Sequence, residues 1–456
     1  MIVSAVDEEA NKALGRLLRL ASTSRIIDYG VLLAAASRNS STAYTLQNDL
    51  RNRTNQLIAA LGLTTDGFAR VLRAHQAGPS ANQRLSAPLS GHVKYDPPED
   101  YELDSILLRR AFDGFARVQL SSQDGGYSKD CKVWKIEAYT DTGRCQPFVA
   151  KAARRADLQS EFETYCAFVR DFVPFPFRAP VLENRFVKGS SRAVLVSAFI
   201  SRSQRLESYL AAATNPELVI VSLFDGALGT WRRNSEKQRL SLGRFYVQQY
   251  KALADSGMPR EEREKKALLP DPSSLDTAHK NALKMNKKLP APSEVWHKLE
   301  NLAEGDHFFC LIHGDLNIRN VFVRWNTIDT ILIDFSHSGV KESMARDPAK
   351  LETSIALTAR DTKNKLLSMA ALRNLYGTRL LPPRDFEEGD GRIEAIRQIR
   401  RHVGGEGVSS EEYELLTLCH FLRFACEPAN NQRNSPPMEK RRALSYMVAC
   451  GLLENL

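Results

Sequence analysis

Residues 313–335 constrain this chain more than any other stretch. They read His313-Gly314-Asp315-Leu316-Asn317-Ile318-Arg319-Asn320, then Val321-Phe322-Val323-Arg324-Trp325, then Asn326-Thr327-Ile328-Asp329-Thr330, Ile331-Leu332-Ile333 and Asp334-Phe335. Two short apolar runs around a polar turn predict a strand–turn–strand hairpin. An amide, Asn320, stands at its entry and a carboxylate, Asp334, at its exit. A second carboxylate, Asp315, lies five residues ahead of the amide. His-Gly-Asp alone or Asp-Phe alone would specify little; the joint pattern on a hairpin specifies a site. Asn320 and Asp334 carry hard oxygen donors of the kind that suit Mg²⁺.

The chain has 456 residues, 43% of them hydrophobic and 26% charged, enough for two or three domains with real cores. No run approaches the length of a membrane-spanning helix, so no membrane partner is expected. The opening residues carry Asp7, Glu8 and Glu9, unlike a secretory signal. Seven cysteines (131, 145, 166, 310, 419, 426 and 450) show no C-x-x-C spacing. That pattern predicts reduced thiols, a cytoplasmic location and no zinc site. The net charge of +9 suits acidic partners such as nucleotides, nucleic acid or an acidic protein, and equally describes a solvated basic surface. No acid-rich segment stands ready to receive a polycationic acceptor.

Residues 1–76 read as an all-helical module. Leu14, Leu17, Leu18 and Leu20 fall at helical spacing, followed by 26–36, 42–61 and a helix capped by Thr65 or Asp66. Residues 57–72 loosely match a helix-turn-helix, but few side chains of the second helix are base-reading types, though Arg70 and Arg73 are basic; nucleic acid is a possible partner and not the favoured one. A docking module for a protein partner fits better. Residues 77–100, rich in Pro, Ser and Gly, read as a linker. Residues 101–203 alternate as strands (115–120, 131–139, 148–152, 193–200) around a helix at 156–173. Residues 204–456 read as mostly helical outside the hairpin, with helices at 206–213, 240–256, 293–302, 348–375, 391–402, 410–425 and 438–453. A charged, Pro-punctuated stretch at 256–291 reads as a solvated insertion or a mobile lid.

Phosphoryl transfer also needs a cation over the phosphates and backbone that can approach them closely. Asp124-Gly125-Gly126-Tyr127-Ser128 lies between the first two strands, so Gly125, Gly126 and Ser128 are candidate phosphate contacts. One strand later comes Phe148-Val149-Ala150-Lys151, which makes Lys151 the candidate cation. Its carboxylate partner should come from the next helix. Glu161 is preferred over Glu163 because it shares a helical face with Tyr165 and Phe168. Phe199-Ile200-Ser201 follows the last strand and reads as a hinge whose backbone would meet an adenine. His313 reads as a structural brace, and Asn317 and Arg319 as possible contacts to acceptor or phosphate.

His-Gly-Asp-Leu-Asn-x-x-Asn followed by Ile-Asp-Phe resembles the aminoglycoside phosphotransferase and choline kinase branch of the protein-kinase-like fold, in which Gly follows His. Val149-Ala150-Lys151 resembles the third-strand lysine motif of kinases. The resemblance covers roughly residues 105–456, with its most specific motifs at 313–335. Gly125-Gly126-x-Ser128, Glu161-x3-Tyr165-x2-Phe168 and Asp347-x2-Lys350-Leu351-Glu352 are similar to the kinase-like ternary complex associated domain of bacterial conflict systems, thought to act in phage defence. This implies an α+β, bilobal protein-kinase-like fold with a small β-rich lobe and a large helical lobe. It also implies ATP and Mg²⁺ as cofactors, Asp315 as base, and Asn320 and Asp334 as metal ligands. Ser336 after Asp334-Phe335, the absence of Ala-Pro-Glu and a glycine turn without G-x-G-x-x-G depart from regulated protein kinases.

The expectation is an ATP- and Mg²⁺-dependent phosphotransferase of unknown acceptor in a bacterial conflict system. The alternatives are a pseudokinase scaffold that binds nucleotide and recruits a partner, and a nucleotidyl (AMP) transferase.

Overall fold

The computed structural model describes residues 99–456 apart from 113, 116, 123–130, 141, 190, 213–215, 384–389 and 427–435. The helical module at 1–76, most of the linker, and Gly125, Gly126 and Ser128 lie outside the described residues. The rest forms two compact units: one takes in 180–199 and the chain up to Phe162, the other 163–179 and 200–456. The chain makes its final passage from the first to the second after Phe199.

The first unit is β-rich. Strands β1 (Arg117–Ser122), β2 (Lys132–Tyr139), β3 (Cys145–Arg154), β4 (Val187–Lys188) and β5 (Arg192–Ala198) make an antiparallel sheet in the order β1-β2-β3-β5-β4. Period-two alternation sorts its side chains. Trp134, Ile136, Phe148, Ala150, Ala152, Val194 and Val196 turn to one face, where they bury Leu103, Leu107 and Leu108 of helix α1 (Glu99–Ala111) and Phe112 just after it. Burying a large apolar side chain stabilises the fold by about 1.5–3 kcal/mol, so this face holds the helix on the sheet. A buried bidentate pair, Arg192 Nε to Asp104 Oδ1 at 2.6 Å and Nη2 to Oδ2 at 2.8 Å, pins α1 to β5. The other face is smaller and carries Ala153, Ala193, Leu195 and Leu158 of helix α2 (Arg155–Thr164).

The helix expected at 156–173 is shorter. After α2 it widens into a π turn at Tyr165–Val169 and stops, with Arg178 donating to the carbonyls of Val173 and Arg170 and to the Tyr165 hydroxyl.

The second unit is mostly helical. Two small antiparallel sheets interrupt it: β6 (Ser203–Arg205), β9 (Val321–Arg324) and β10 (Thr330–Leu332) in the order β10-β9-β6, and β7 (Glu236–Ser241), β8 (Glu304–Leu311) and β11 (Lys341–Ser343) in the order β11-β8-β7. Helices α3 (Leu242–Asp255), α4 (Asp276–Leu283), α5 (Arg346–Thr358), α6 (Gly391–Gly405), α7 (Ser410–Cys426) and α8 (Pro436–Asn455) follow in order along the chain. Helix α5 packs on α6 and α7, burying Leu351, Ile355, Ile399, Leu415 and Leu418. Caps mark the starts. Asp390 accepts from Arg392 N at 3.0 Å, and Ser409 Oγ accepts from Glu412 N at 3.1 Å.

Two expectations change here. The single helix expected over 348–375 is two, because Asp361 Oδ1 takes the Lys363 and Lys365 amides in a side-chain turn and Asn364 sits at φ +61°. The charged stretch at 256–291 is anchored rather than a solvated lid. Ala267, Leu268, Leu269 and Leu275 are buried, and α4 packs its Ala278 and Ala282 side against α8. A few apolar residues in a mostly polar segment suffice when they reach the core.

Candidate active site

The first unit supplies an ion pair. In β3, Ala150 and Ala152 face α1, so alternation places Lys151 on the opposite face. There its Nζ lies 2.7 Å from Glu161 Oε2 of α2, with the two side chains only 23% and 12% exposed. Glu163 is exposed. The candidate carboxylate partner is therefore Glu161, two residues earlier on the helix.

The second unit supplies the loop and the hairpin. Val321, Val323, Thr330, Ile331 and Leu332 are buried, and the register pairs Val321 with Leu332 and Val323 with Thr330. Ile333 N donates to Asn320 O at 3.0 Å, which brings the entry and exit of the hairpin together and sets Asp334 beside Asn320. Asp334 adopts φ +61°, a left-handed conformation that costs a non-glycine residue of order 1–3 kcal/mol and is kept where the surroundings dictate it. Ser336 Oγ donates to Asp334 Oδ1 at 3.0 Å.

Asp315 is held by amides. Asn317 Nδ2 donates to its Oδ2 at 3.0 Å and Asn320 Nδ2 at 3.2 Å, and both also reach its main-chain carbonyl. Asn317 Oδ1 in turn accepts from Arg319 N at 2.9 Å, and the Arg319 side chain is exposed. With the Asn320 Nδ2 committed to Asp315, its Oδ1 is the atom left to accept. An amide oxygen and a carboxylate at one hairpin base form a hard-oxygen set, which fits Mg²⁺ rather than a thiophilic ion. Among the described residues, no cluster of three or more His, Cys, Asp and Glu forms a competing metal site.

His313 braces the loop. Its Nε2 donates to Ile333 O at 3.0 Å, its ring lies 5.1 Å from that of Phe335, and its buried Nδ1 has no hydrogen-bond partner among the described residues. His337 feels both Asp315 and Asp334. Crowding by protein atoms holds its pKa below the usual value, and the two carboxylates pull it upward without prevailing.

Two residues that the motif reading left without a role belong to this site. Asp347, in the first turn of α5, accepts from His313 N at 2.6 Å and Gly314 N at 3.0 Å. Lys350, one turn on, puts Nζ 3.5 Å from Asp315 Oδ1. The available signal was an Asp and a Lys three apart in a helix shortly after Asp334, which puts both on one face.

The fold is kinase-like. An antiparallel sheet carries a lysine on its third strand paired to the next helix, and a helical unit carries the His-x-Asp loop and the Asp-bearing hairpin. No family model matches the chain, and no curated protein matches it. Solved structures show a remote likeness. A Plasmodium vivax ethanolamine kinase is 12% identical over 79% of this chain and 92% of its own, with a TM-score of 0.38. An aminoglycoside phosphotransferase from Alicyclobacillus acidocaldarius is 13% identical over 81% and 96%, TM-score 0.36. A Streptomyces rimosus aminoglycoside phosphotransferase solved with ADP and streptomycin is 14% identical over 69% and 96%, TM-score 0.35.

Proposed function

We propose that this kinase-like chain is an ATP- and Mg²⁺-dependent phosphotransferase acting on a hydroxyl. The observation that carries the reading is Asp315: one carboxylate oxygen is held by two amides, the other is turned toward a lysine, and the hairpin's amide and carboxylate stand next to it. When bound, Mg²⁺ would neutralise the triphosphate charge and ATP would supply the phosphoryl group. Asn320 and Asp334 would hold the metal. Lys151, oriented by Glu161, would hold the α- and β-phosphates, with the backbone at Gly125, Gly126 and Ser128 over them. Asp315 Oδ1 would orient the acceptor hydroxyl and take its proton.

The surroundings of Asp315 bear on the acceptor. Lys350 lies beside it, and Arg423 of α7 is within electrostatic reach of His337 next door. Cations at the acceptor side disfavour a polycationic drug and suit a neutral or acidic acceptor. Following the motif resemblance, we assign this chemistry to a bacterial conflict system in the cytoplasm, with residues 1–76 as the docking module for a protein partner.

The test is transfer from γ-labelled ATP by purified protein with Mg²⁺, with and without host lysate, beside Asp315→Ala. Transfer by wild type alone, with kcat cut by about 10²–10⁴-fold in the variant, supports the reading. Retention of an α-label on the product would replace it with nucleotidyl transfer. Mg²⁺-dependent ATP binding without any transfer would replace it with a pseudokinase scaffold.

A further inference from the structure

We infer that Lys350 is a catalytic cation of this site, delivered from helix α5, that stabilises the phosphoryl group while it passes to the acceptor. The inference rests on the phosphotransferase reading above and adds a residue and a role to it.

Three observations carry it. Lys350 Nζ lies 3.5 Å from Asp315 Oδ1, the oxygen left over once Asn317 and Asn320 have taken Oδ2. An acceptor hydroxyl bound to that oxygen would therefore sit next to the ammonium. The separation exceeds the 2.7–2.9 Å usual for a charge-assisted hydrogen bond, so the ammonium is not locked onto the carboxylate and keeps donors for a third group. Among the described residues, Asp315 is the one side chain with which it forms an ion pair.

The second observation is rigidity. Asp347, one turn earlier on the same helix face, clamps the loop backbone at His313 and Gly314. Helix and loop thus move as one body, and the Lys350 side chain is 19% exposed along its course to Asp315. The third is that the loop itself offers no such cation. Its second position after Asp315 is Asn317, whose amide is spent on Asp315, and the Arg319 side chain is exposed. Nearby His420 is buried and held neutral, its pKa pushed down by burial and then by Lys350, Arg346 and Arg423. Of the cations around this spot, Lys350 is the one in an ion pair with Asp315.

In the step, the acceptor oxygen forms a bond to the γ-phosphorus and the β–γ bridging bond breaks. Its electron pair leaves on ADP, and the hydroxyl proton passes to Asp315 Oδ1. The transferring oxygens would pass closest to Lys350 at mid-transfer, so the ammonium should matter more there than in the ground state.

That difference is measurable without knowing the acceptor. Calorimetry with Mg²⁺-ADP alone and with Mg²⁺-ADP plus aluminium fluoride separates ground-state from transition-state binding. Expected for Lys350→Met is an unchanged affinity for Mg²⁺-ADP and a loss of about 10–100-fold for the fluoride complex, partly restored in Lys350→Arg. Equal affinity of wild type and Lys350→Met for the fluoride complex would overturn the role. Equal weakening of both complexes would make Lys350 structural, and Lys350→Gln with matched thermal unfolding guards against misfolding. Wild type that binds Mg²⁺-ADP but gains nothing from the fluoride would remove both the role and the phosphotransferase reading. Failure to bind Mg²⁺-ADP at all would sink that reading first.

Discussion

Asp347 accepts hydrogen bonds from the backbone of both His313, at 2.6 Å, and Gly314, at 3.0 Å. The loop that presents Asp315 thus hangs from the first turn of helix α5, a segment more than thirty residues later in the chain. Asp347 is itself buried, and nothing else in the described structure takes those two amides.

Replacing it should therefore cost stability and chemistry together. Asp347→Ala strands the buried His313 N–H at about 1–3 kcal/mol and the part-buried Gly314 N–H at less. We expect a lower unfolding midpoint by thermal denaturation. We also expect kcat to fall while Mg²⁺-ATP affinity, read by calorimetry, changes much less. A variant with wild-type kcat would show that Asp315 is placed by something other than this clamp.

Gly314 has φ +80°, and a Cβ on it would collide with the backbone carbonyl of His337. Gly314→Ala combines left-handed strain with a clash against main chain that cannot swing away. The expected destabilisation is about 2 kcal/mol or more, visible as a reduced denaturant midpoint. Gly143, also at positive φ but with open space around it, is the control: Gly143→Ala should cost about 1 kcal/mol and leave the site untouched.

Lys151 and Glu161 are a partly buried pair on adjoining elements. Glu161→Gln removes the carboxylate that pairs with the Lys151 ammonium. We expect Mg²⁺-ATP binding or turnover to weaken by roughly 10–100-fold, the scale of truncating one partner of such a pair. Glu163→Gln, at the exposed neighbouring position, should behave as wild type. Equal effects of the two substitutions would remove Glu161 from the site.

A second buried pair gives a pH signature. His307 Nδ1 lies 2.8 Å from Glu412 Oε2 and its Nε2 2.9 Å from Ala303 O, while Ser343 Oγ donates to Glu412 Oε1 at 2.6 Å. Burial alone would lower the His307 pKa, but the Glu412 hydrogen bond and charge, with the carbonyls of Ala303 and Leu240, raise it overall. A pKa raised on folding stabilises the protein below the unfolded value of about 6.5, and the benefit fades as pH rises through the folded value. His307→Gln should therefore lose more stability at pH 6 than at pH 9. Parallel melting-temperature profiles for wild type and variant across that range would refute the assignment.

The hairpin was readable in the chain because its information is local. Two apolar runs, a polar turn and flanking Asn320 and Asp334 lie within a short window, so pattern and chemistry coincide. Lys151 was readable for the same reason, by its place on an alternating strand after a glycine turn. Helix lengths were read less well. The break at 359–368 depends on Asp361 and Asn364 choosing a local turn over continuation, and the stretch 256–291 looked solvated because its apolar residues are outnumbered by polar and charged ones.

What the sequence by itself determined is the reacting set: which carboxylates, amide and lysine could serve, and on which kinds of element. Side-chain chemistry and short-range periodicity carry that information. What only the tertiary structure decided is the support around them. Asp347 reaches back to His313 and Gly314, and Lys350 comes to Asp315, because α5 is packed against α6 and α7 with Leu351 and Ile355 in the core. Such contacts join residues more than thirty positions apart. They arise from burial of a helix face, which no local window of sequence contains.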